Sequence, residues 1–247
     1  MTPAGFDLTG RAVLITEVST SIGRALALGL RAAGADLFVS ARRPDALMAA
    51  RAAEPELADL PGQPADLTQP GAADHLIAQA VGSLDRLDVL VNSYQRLFAK
   101  PIGSILDEEY QRVLDLNLKP AFLAARAAVP HLAAGGSGRI ILLSSGLATR
   151  GLANGSVFCA AQGAIVQLVR ALALELAAQG IRVNGLASGW PAGGPIEDPA
   201  LVRFIPTRRL TDPADLVPLT VYLASTASDL VTGQTFFATG GLLARAP

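Results

Sequence analysis

Short apolar runs of strand length alternate with longer helical patterns from one end of the chain to the other. Ala12-Val-Leu-Ile-Thr16 reads as a first strand, and a helix follows from about Ile22 to Ala33. Asp36-Leu-Phe-Val-Ser40, Leu87-Asp-Val-Leu-Val-Asn92 and Arg139-Ile-Ile-Leu-Leu-Ser144 continue the series, and Ile181-Arg-Val-Asn-Gly-Leu186 and Thr235-Phe-Phe-Ala238 close it. Short continuous apolar strands of this kind are buried on both faces, which predicts a parallel sheet covered by helices on each side. With right-handed crossovers the alternation gives an α/β fold, a doubly wound sheet in three layers. No linker, repeat or low-complexity segment interrupts it, so residues 1–247 are expected to form one domain. The stretch Asp45–Pro64 reads as a surface helix and loop.

Two helical stretches depart from the usual amphipathic pattern. From Pro120 to Ala134 the only charge is Arg126, and from Phe158 to Gly180 the only charges are Arg170 and Glu175. A helix that covers one face of a sheet normally keeps a polar outer side. These two nearly lack one, so their outer faces are expected to be buried against another subunit.

Composition narrows the function classes. The net charge of −1 leaves no electrostatic footprint for nucleic acid or an anionic membrane. A single cysteine, Cys159, excludes an internal disulfide, and His75 and His131 have no ligand-like neighbours, so no metal site is expected. The N-terminus lacks the basic and apolar regions of a signal peptide, and no stretch reads as an uncharged membrane span. A soluble cytoplasmic protein is the expectation.

The strand–turn–helix at Ile15-Thr-Glu-Val-Ser-Thr-Ser-Ile-Gly-Arg-Ala25 sits where a dinucleotide fold places its phosphate loop. Further matches are Asp66-Leu67, Val91-Asn92, Asn117, Gly138-Arg-Ile-Ile-Leu-Leu-Ser-Ser145 and Gly180-Ile-Arg-Val-Asn184. Gly189-Trp190, Val231-Thr-Gly-Gln234 and Gly240-Gly241 complete the set. In order and spacing the chain resembles the short-chain dehydrogenase/reductase family over essentially its whole length. That resemblance implies a Rossmann-type fold, an NAD or NADP cofactor and an Asn-Ser-Tyr-Lys catalytic set.

The functional motifs depart from the family's pattern. Its phosphate loop is TGxxxGxG; here the first glycine is Glu17, the second is Ser21, and Gly23 alone remains. Glycines there let the backbone approach the pyrophosphate, whose charge rests on a helix N-terminus. Glu17 sets a negative charge beside that anion's position, and Ser21 adds a Cβ. The family's Asn-Asn-Ala-Gly reads Asn92-Ser93-Tyr94-Gln95, so Tyr94 is expected to fill part of the groove. Ala41-Arg42-Arg43 lacks the acidic residue that clamps the NAD ribose, while Ser188 and Thr239 alter the Pro-Gly and Asp-Gly-Gly motifs.

In the family, tyrosine follows serine by thirteen residues and lysine follows tyrosine by four. The offset of four puts both on one helix face, where the lysine's charge lowers the tyrosine pKa. Counting from Ser145 reaches Phe158 and then Gln162. Asn117 and Ser145 survive, but the proton donor and the cation are gone. Gly23, Asp66 and Asn92 are therefore expected to be vestiges of a cofactor site blocked by Glu17, Ser21 and Tyr94. No cofactor is expected on this chain. Cys159, Ser144 and Ser156 have no base to activate them, and the segment Pro191–Ile205, where the family carries its substrate lid, looks short.

The resemblance implies a use for such a chain. In the family, the helices matching Pro120–Ala134 and Phe158–Gln179 pack across a subunit interface. The expected partner is an active short-chain dehydrogenase paralogue that carries the NAD or NADP, in a hetero-oligomer, a tetramer of two inactive and two active chains. A known assembly pairing an inactive with an active subunit oxidises 2-[hydroxy(phenyl)methyl]succinyl-CoA in anaerobic toluene degradation, and the inactive subunit is the match suggested. The alternatives are an active NAD(P)-dependent oxidoreductase with an unconventional proton donor, and a nucleotide- or ligand-binding sensor.

Overall fold

A computed structural model describes residues 5–192 and 199–244. Seven strands form one parallel sheet in the order β3-β2-β1-β4-β5-β6-β7. They are β1 (Ala12–Thr16), β2 (Asp36–Ala41), β3 (Gly62–Pro64), β4 (Val89–Asn92), β5 (Arg139–Ser145), β6 (Arg182–Ser188) and β7 (Thr235–Ala238). The helices are α1 (Ser21–Ala32), α2 (Pro44–Ala53), α3 (Ala72–Leu84), α4 (Asp107–Asn117), α5 (Lys119–Ala134), α6 (Ser156–Leu176) and α7 (Val217–Ala224). Two apolar cores lie on opposite faces of the sheet, one under α1, α2 and α7 and the other under α3, α5 and α6. The doubly wound, three-layer α/β architecture expected from the sequence is therefore present.

The structure corrects three details. A short third strand, Gly62–Pro64, lies inside the stretch read as helix and loop. It has no apolar run to announce it, yet its first residue must be glycine, because a Cβ on Gly62 would stand 2.1 Å from the Val39 carbonyl oxygen. Strand β6 runs on to Ser188, two residues beyond the apolar pattern, because Ala187 and Ser188 still pair with β5 and β7. Finally, the helix Ser156–Gln179 is long and apolar enough to cross a membrane by length and composition. Its apolar residues Ile165, Val169, Ala173 and Leu176 instead join the core beneath the sheet.

The outer faces of the two unusual helices are uncovered in the single chain. Phe122 is half exposed, and Leu174 is 86% exposed on α6 beside Arg170 and Glu175. Arg126 reaches Asp74 of α3 at 3.8 Å, an exposed pair of little energetic weight.

Strand order reverses between β1 and β4, so the carboxyl ends of these strands open a crevice where a ligand binds in folds of this kind.

Candidate functional site

The chain leaves β1 at Thr16 and turns at Glu17, whose φ of 61° lies in the left-handed region. A residue with a Cβ enters that region at a cost of roughly 1–2 kcal/mol, and glycine enters it freely. The loop thus keeps a glycine backbone with a glutamate on it. Thr20 caps α1, its Oγ1 accepting from the Gly23 N–H at 3.0 Å. Gly23 itself is fixed by packing, since a Cβ there would lie 2.2 Å from the Glu17 carbonyl oxygen. Its survival follows from the loop's own geometry, whatever the loop binds.

The Glu17 side chain folds inward and is buried. The Ser19 hydroxyl and the Arg42 backbone N–H donate to its carboxylate. Burial raises its pKa above the ordinary value of 4.5; the Ser19 and Arg42 hydrogen bonds and the Arg42 charge oppose the rise, and Asp66 adds to it. Tyr94 lies near this carboxyl, and its own pKa is raised first by burial and then by the Glu17 charge. Glu17, Ser40, Arg42, Asp66 and Tyr94 enclose a cavity of about 10 Å³, room for one water at most. The Asp66 carboxylate is occupied locally, accepting from the Thr68 N–H at 3.1 Å and hydroxyl at 2.8 Å.

Asn92 and Ser93, at the end of β4, tie this corner to β1. The Asn92 amide donates to Thr16 Oγ1 at 3.1 Å, and the Ser93 hydroxyl donates to the Thr16 carbonyl at 2.5 Å. Both are buried, and both hold two strands together.

Past this corner the crevice opens into a cavity of about 480 Å³. One end is formed by Ser19, Thr20 and Ser21 at the start of α1, with Arg24 and Arg96. Ser21 therefore lines open space and does not join Glu17 and Tyr94 in closing the groove. The wall beyond is apolar, with Leu143, Leu147, Phe158 and Trp190, and it carries the hydroxyls of Ser145 and Ser188. Among the described residues, this lining has no tyrosine, lysine, histidine or carboxylate.

Asn117 and Gln162 meet inside the protein, while Ser145 and Phe158 line the open cavity. Helix α4 ends at Asn117, where Leu118 (φ −120°, ψ −50°) breaks the run before α5. The freed Asn117 side chain donates to the Val113 carbonyl at 3.0 Å and accepts from the Arg96 N–H at 2.8 Å. Gln162, wholly buried on α6, points its Nε2 at Asn117 Oδ1 from 3.5 Å, the long limit of a hydrogen bond. Its Oε1 has no partner among the described residues. Phe158, one turn earlier and 2% exposed, presents a ring where a hydroxyl would be needed. The Ser145 hydroxyl accepts from the Leu147 N–H at 3.2 Å and caps a turn at Gly146–Ala148. Ser144 donates to the Gln162 carbonyl at 3.2 Å, and Cys159 does not line the cavity.

The sequence reading passed over two residues that shape the site. Ser93 locks the loop through Thr16, a role hidden because its partner is a backbone carbonyl. Arg96 stands on the cavity rim with no ion pair among the described residues, and the β4-to-α4 loop brings it there. Gly193-Gly194-Pro195 of the presumed lid lies outside the described residues, as does the remainder of 193–198. No group of three potential metal ligands occurs among the described residues.

At the ends of β1 and β2, the pocket beside Glu17 and Tyr94 is about 10 Å³. The other half is open but has no group that titrates near neutrality.

Comparisons with known proteins define the family. Residues 18–243 match the family model described as enoyl-(acyl carrier protein) reductase. Subunit BbsC of (2S)-[(R)-hydroxy(phenyl)methyl]succinyl-CoA dehydrogenase from Thauera aromatica is 34% identical, covering 94% of each chain. The 5-keto-D-gluconate 5-reductase of Escherichia coli K12 is 29% identical over 96% of this chain and 97% of its own. Among solved structures, a short-chain type dehydrogenase/reductase from Mycobacterium marinum superposes with a TM-score of 0.91 at 32% identity, covering 97% of this chain and 98% of that one. A gluconate 5-dehydrogenase from Burkholderia cenocepacia J2315, solved with NADP and tartrate, gives 0.90 at 29% identity and 98% coverage of both. Family match, chain-length identity and fold agree: the chain belongs to the short-chain dehydrogenase/reductase family.

Proposed function

We propose that this chain is a non-catalytic subunit that assembles with an active short-chain dehydrogenase and neither binds NAD(P) productively nor transfers hydride itself. The observation that carries the reading is the pair Phe158 and Gln162, which stand where the family's tyrosine and lysine are expected: Phe158 lines the cavity, Gln162 is buried behind it against Asn117, and the described lining has no acid/base group to replace them. General acid/base catalysis needs a titratable group within hydrogen-bond reach of the reacting oxygen. Tyr94, the one nearby phenol, belongs to the closed half of the crevice, and its pKa moves away from neutrality. Glu17 and Tyr94 supply a second, independent obstacle where the cofactor's adenosine would lie.

The exposed apolar residues of α5 and α6, Phe122 and Leu174, support a role in assembly, with the two helices as the contact surface to the active paralogue. The chain-length identity to subunit BbsC supports a partner that oxidises a hydroxyacyl-CoA thioester. The test is co-expression with an intact paralogue encoded nearby, followed by native mass spectrometry. The reading expects a mixed tetramer of two chains of each kind, with activity only in the complex. A homo-oligomer that forms no mixed species, or NAD(P)-dependent turnover by this chain alone, would contradict it.

A further inference from the structure

Two carboxyl groups are buried among the described residues, and they are treated differently. Asp88 accepts from the Ala12 N–H at 2.9 Å and pairs with Arg86 at 2.5 Å. Glu17 has no ion pair; a serine hydroxyl and the Arg42 backbone N–H are its donors. A buried charge is normally paired, so an unpaired buried carboxyl is favoured in its neutral form.

The groups around it work in both directions. Arg42 at the end of β2, Asp66 after β3 and Tyr94 after β4 face Glu17, and α5 contributes Pro120 to the same pocket. Burial first, and then the Asp66 charge, raise the Glu17 pKa, while the Ser19 and Arg42 hydrogen bonds and the Arg42 charge lower it. The net direction is upward.

The turn that carries Glu17 is pinned on both sides. The Val18 N–H donates to the Ser40 carbonyl at 2.9 Å, and the Ser93 hydroxyl holds the Thr16 carbonyl. What is left to move is the Glu17 side chain, and Arg42 offers it a second position. Arg42 lines the narrow pocket and also an open groove of about 750 Å³, which it shares with Tyr110 and Arg112. It makes no ion pair among the described residues. One residue thus supplies a backbone N–H to the carboxyl inside and a guanidinium for it outside.

We propose that Glu17 is a proton-operated gate on the narrow pocket. Protonated, its carboxyl lies inward beside Tyr94. Ionised, it releases its proton to solvent and swings out to the Arg42 guanidinium, and the Tyr94 ring meets water. The carboxyl has its ordinary proton affinity outside and a raised one inside. The opening equilibrium then rises with pH, by up to about tenfold per unit between the two values, and levels off above them. The gate operates whether or not the chain joins an active partner.

Hydroxyl-radical footprinting of the full chain, read by mass spectrometry, tests this. The chain has three tyrosines, and Tyr222, held on α7 between Phe6 and Phe236, is the internal standard. The ratio of Tyr94 to Tyr222 oxidation is expected to rise at least about threefold from pH 5 to pH 8.5. In Glu17→Gln, which keeps the side chain's size and does not ionise, the ratio should stay at the parent's pH 5 level throughout. In Glu17→Gly it should be high at both pH values. Circular dichroism checks that each protein is folded at both. A ratio that does not change with pH in the parent, or an equal rise in Glu17→Gln, would overturn the gate. If Glu17→Gly does not fold, the parent and Glu17→Gln decide the matter alone. The non-catalytic reading rests separately on Phe158 and Gln162, and none of these outcomes alters it.

Discussion

The two halves of the crevice at the strand switch point share a sheet and a loop but differ in room and in lining. At the ends of β1 and β2, the pocket beside Glu17 and Tyr94 is about 10 Å³. At the ends of β5 and β6, about 480 Å³ stays open, yet Phe158 has no hydroxyl and Gln162 no charge. One half is narrow; the other is open, and its described lining has no tyrosine, lysine, histidine or carboxylate. The scaffold between them is intact: Thr20 still caps α1, Asn92 still ties β4 to β1, and Asn117 still breaks the α4–α5 helix. Glu17 holds a left-handed backbone conformation that glycine would adopt without strain.

The largest change should come from reopening the closed half. Glu17→Gly with Tyr94→Ala removes both plugging side chains, and NAD or NADP affinity should rise on the order of a hundredfold, about 3 kcal/mol. Fluorescence titration with NADPH reads this directly. Turnover should remain absent, because the open half still has no proton donor. Adding Phe158→Tyr and Gln162→Lys to that variant is the combination expected to produce any hydride transfer, and adding them to the unmodified chain should produce none.

The scaffold is tested by Gly23→Ala. The new Cβ would meet the Glu17 carbonyl at 2.2 Å, which no rotamer can relieve, so a loss of about 2–3 kcal/mol in chemical denaturation is expected. If that variant were as stable as the parent, Gly23 would have to be explained by a ligand.

Glu17→Gly alone should act in the opposite sense, stabilising by about 1 kcal/mol through relief of the left-handed backbone. Glu17→Gln isolates the charge. The folded-state pKa of Glu17 is raised by burial, so the folded protein holds its proton more tightly than the unfolded chain does. Stability from this group is present below the ordinary value of 4.5 and is lost as pH rises toward the elevated folded value. Arg42 faces the carboxyl and limits the loss, whereas Asp66 adds to it. Denaturation midpoints measured from pH 4 to pH 8 should decline less in Glu17→Gln than in the parent.

Much of this was legible in the sequence. Continuous apolar runs placed six of the seven strands, because parallel strands buried on both faces leave a strong signal. The offset of four from Phe158 to Gln162 falls on α6, where a helix brings residues one turn apart to neighbouring positions, and both are buried there. β3 has no apolar run of its own, since three residues at a sheet edge carry no hydrophobic pattern. The split of the crevice was also invisible. Ser21 and Glu17 lie four residues apart in one loop, yet Glu17 turns inward toward Arg42 while Ser21 faces the open cavity. Backbone dihedrals decide that, and composition does not report them. The role of Arg96 escaped for a similar reason, since its position depends on the β4-to-α4 loop and on the Asn117 side chain that accepts its N–H.

The central claim is that this chain performs no hydride transfer by itself. The most direct measurement is NAD(P)H formation by the purified chain, followed by absorbance with NAD and with NADP, over a panel of alcohols, sugar acids and hydroxyacyl thioesters. The account predicts no rate above the enzyme-free background for any pair, and a rate that appears when an intact paralogue is added. Turnover by the chain alone that is abolished by blocking the crevice, for example with Ser188→Trp, would contradict it.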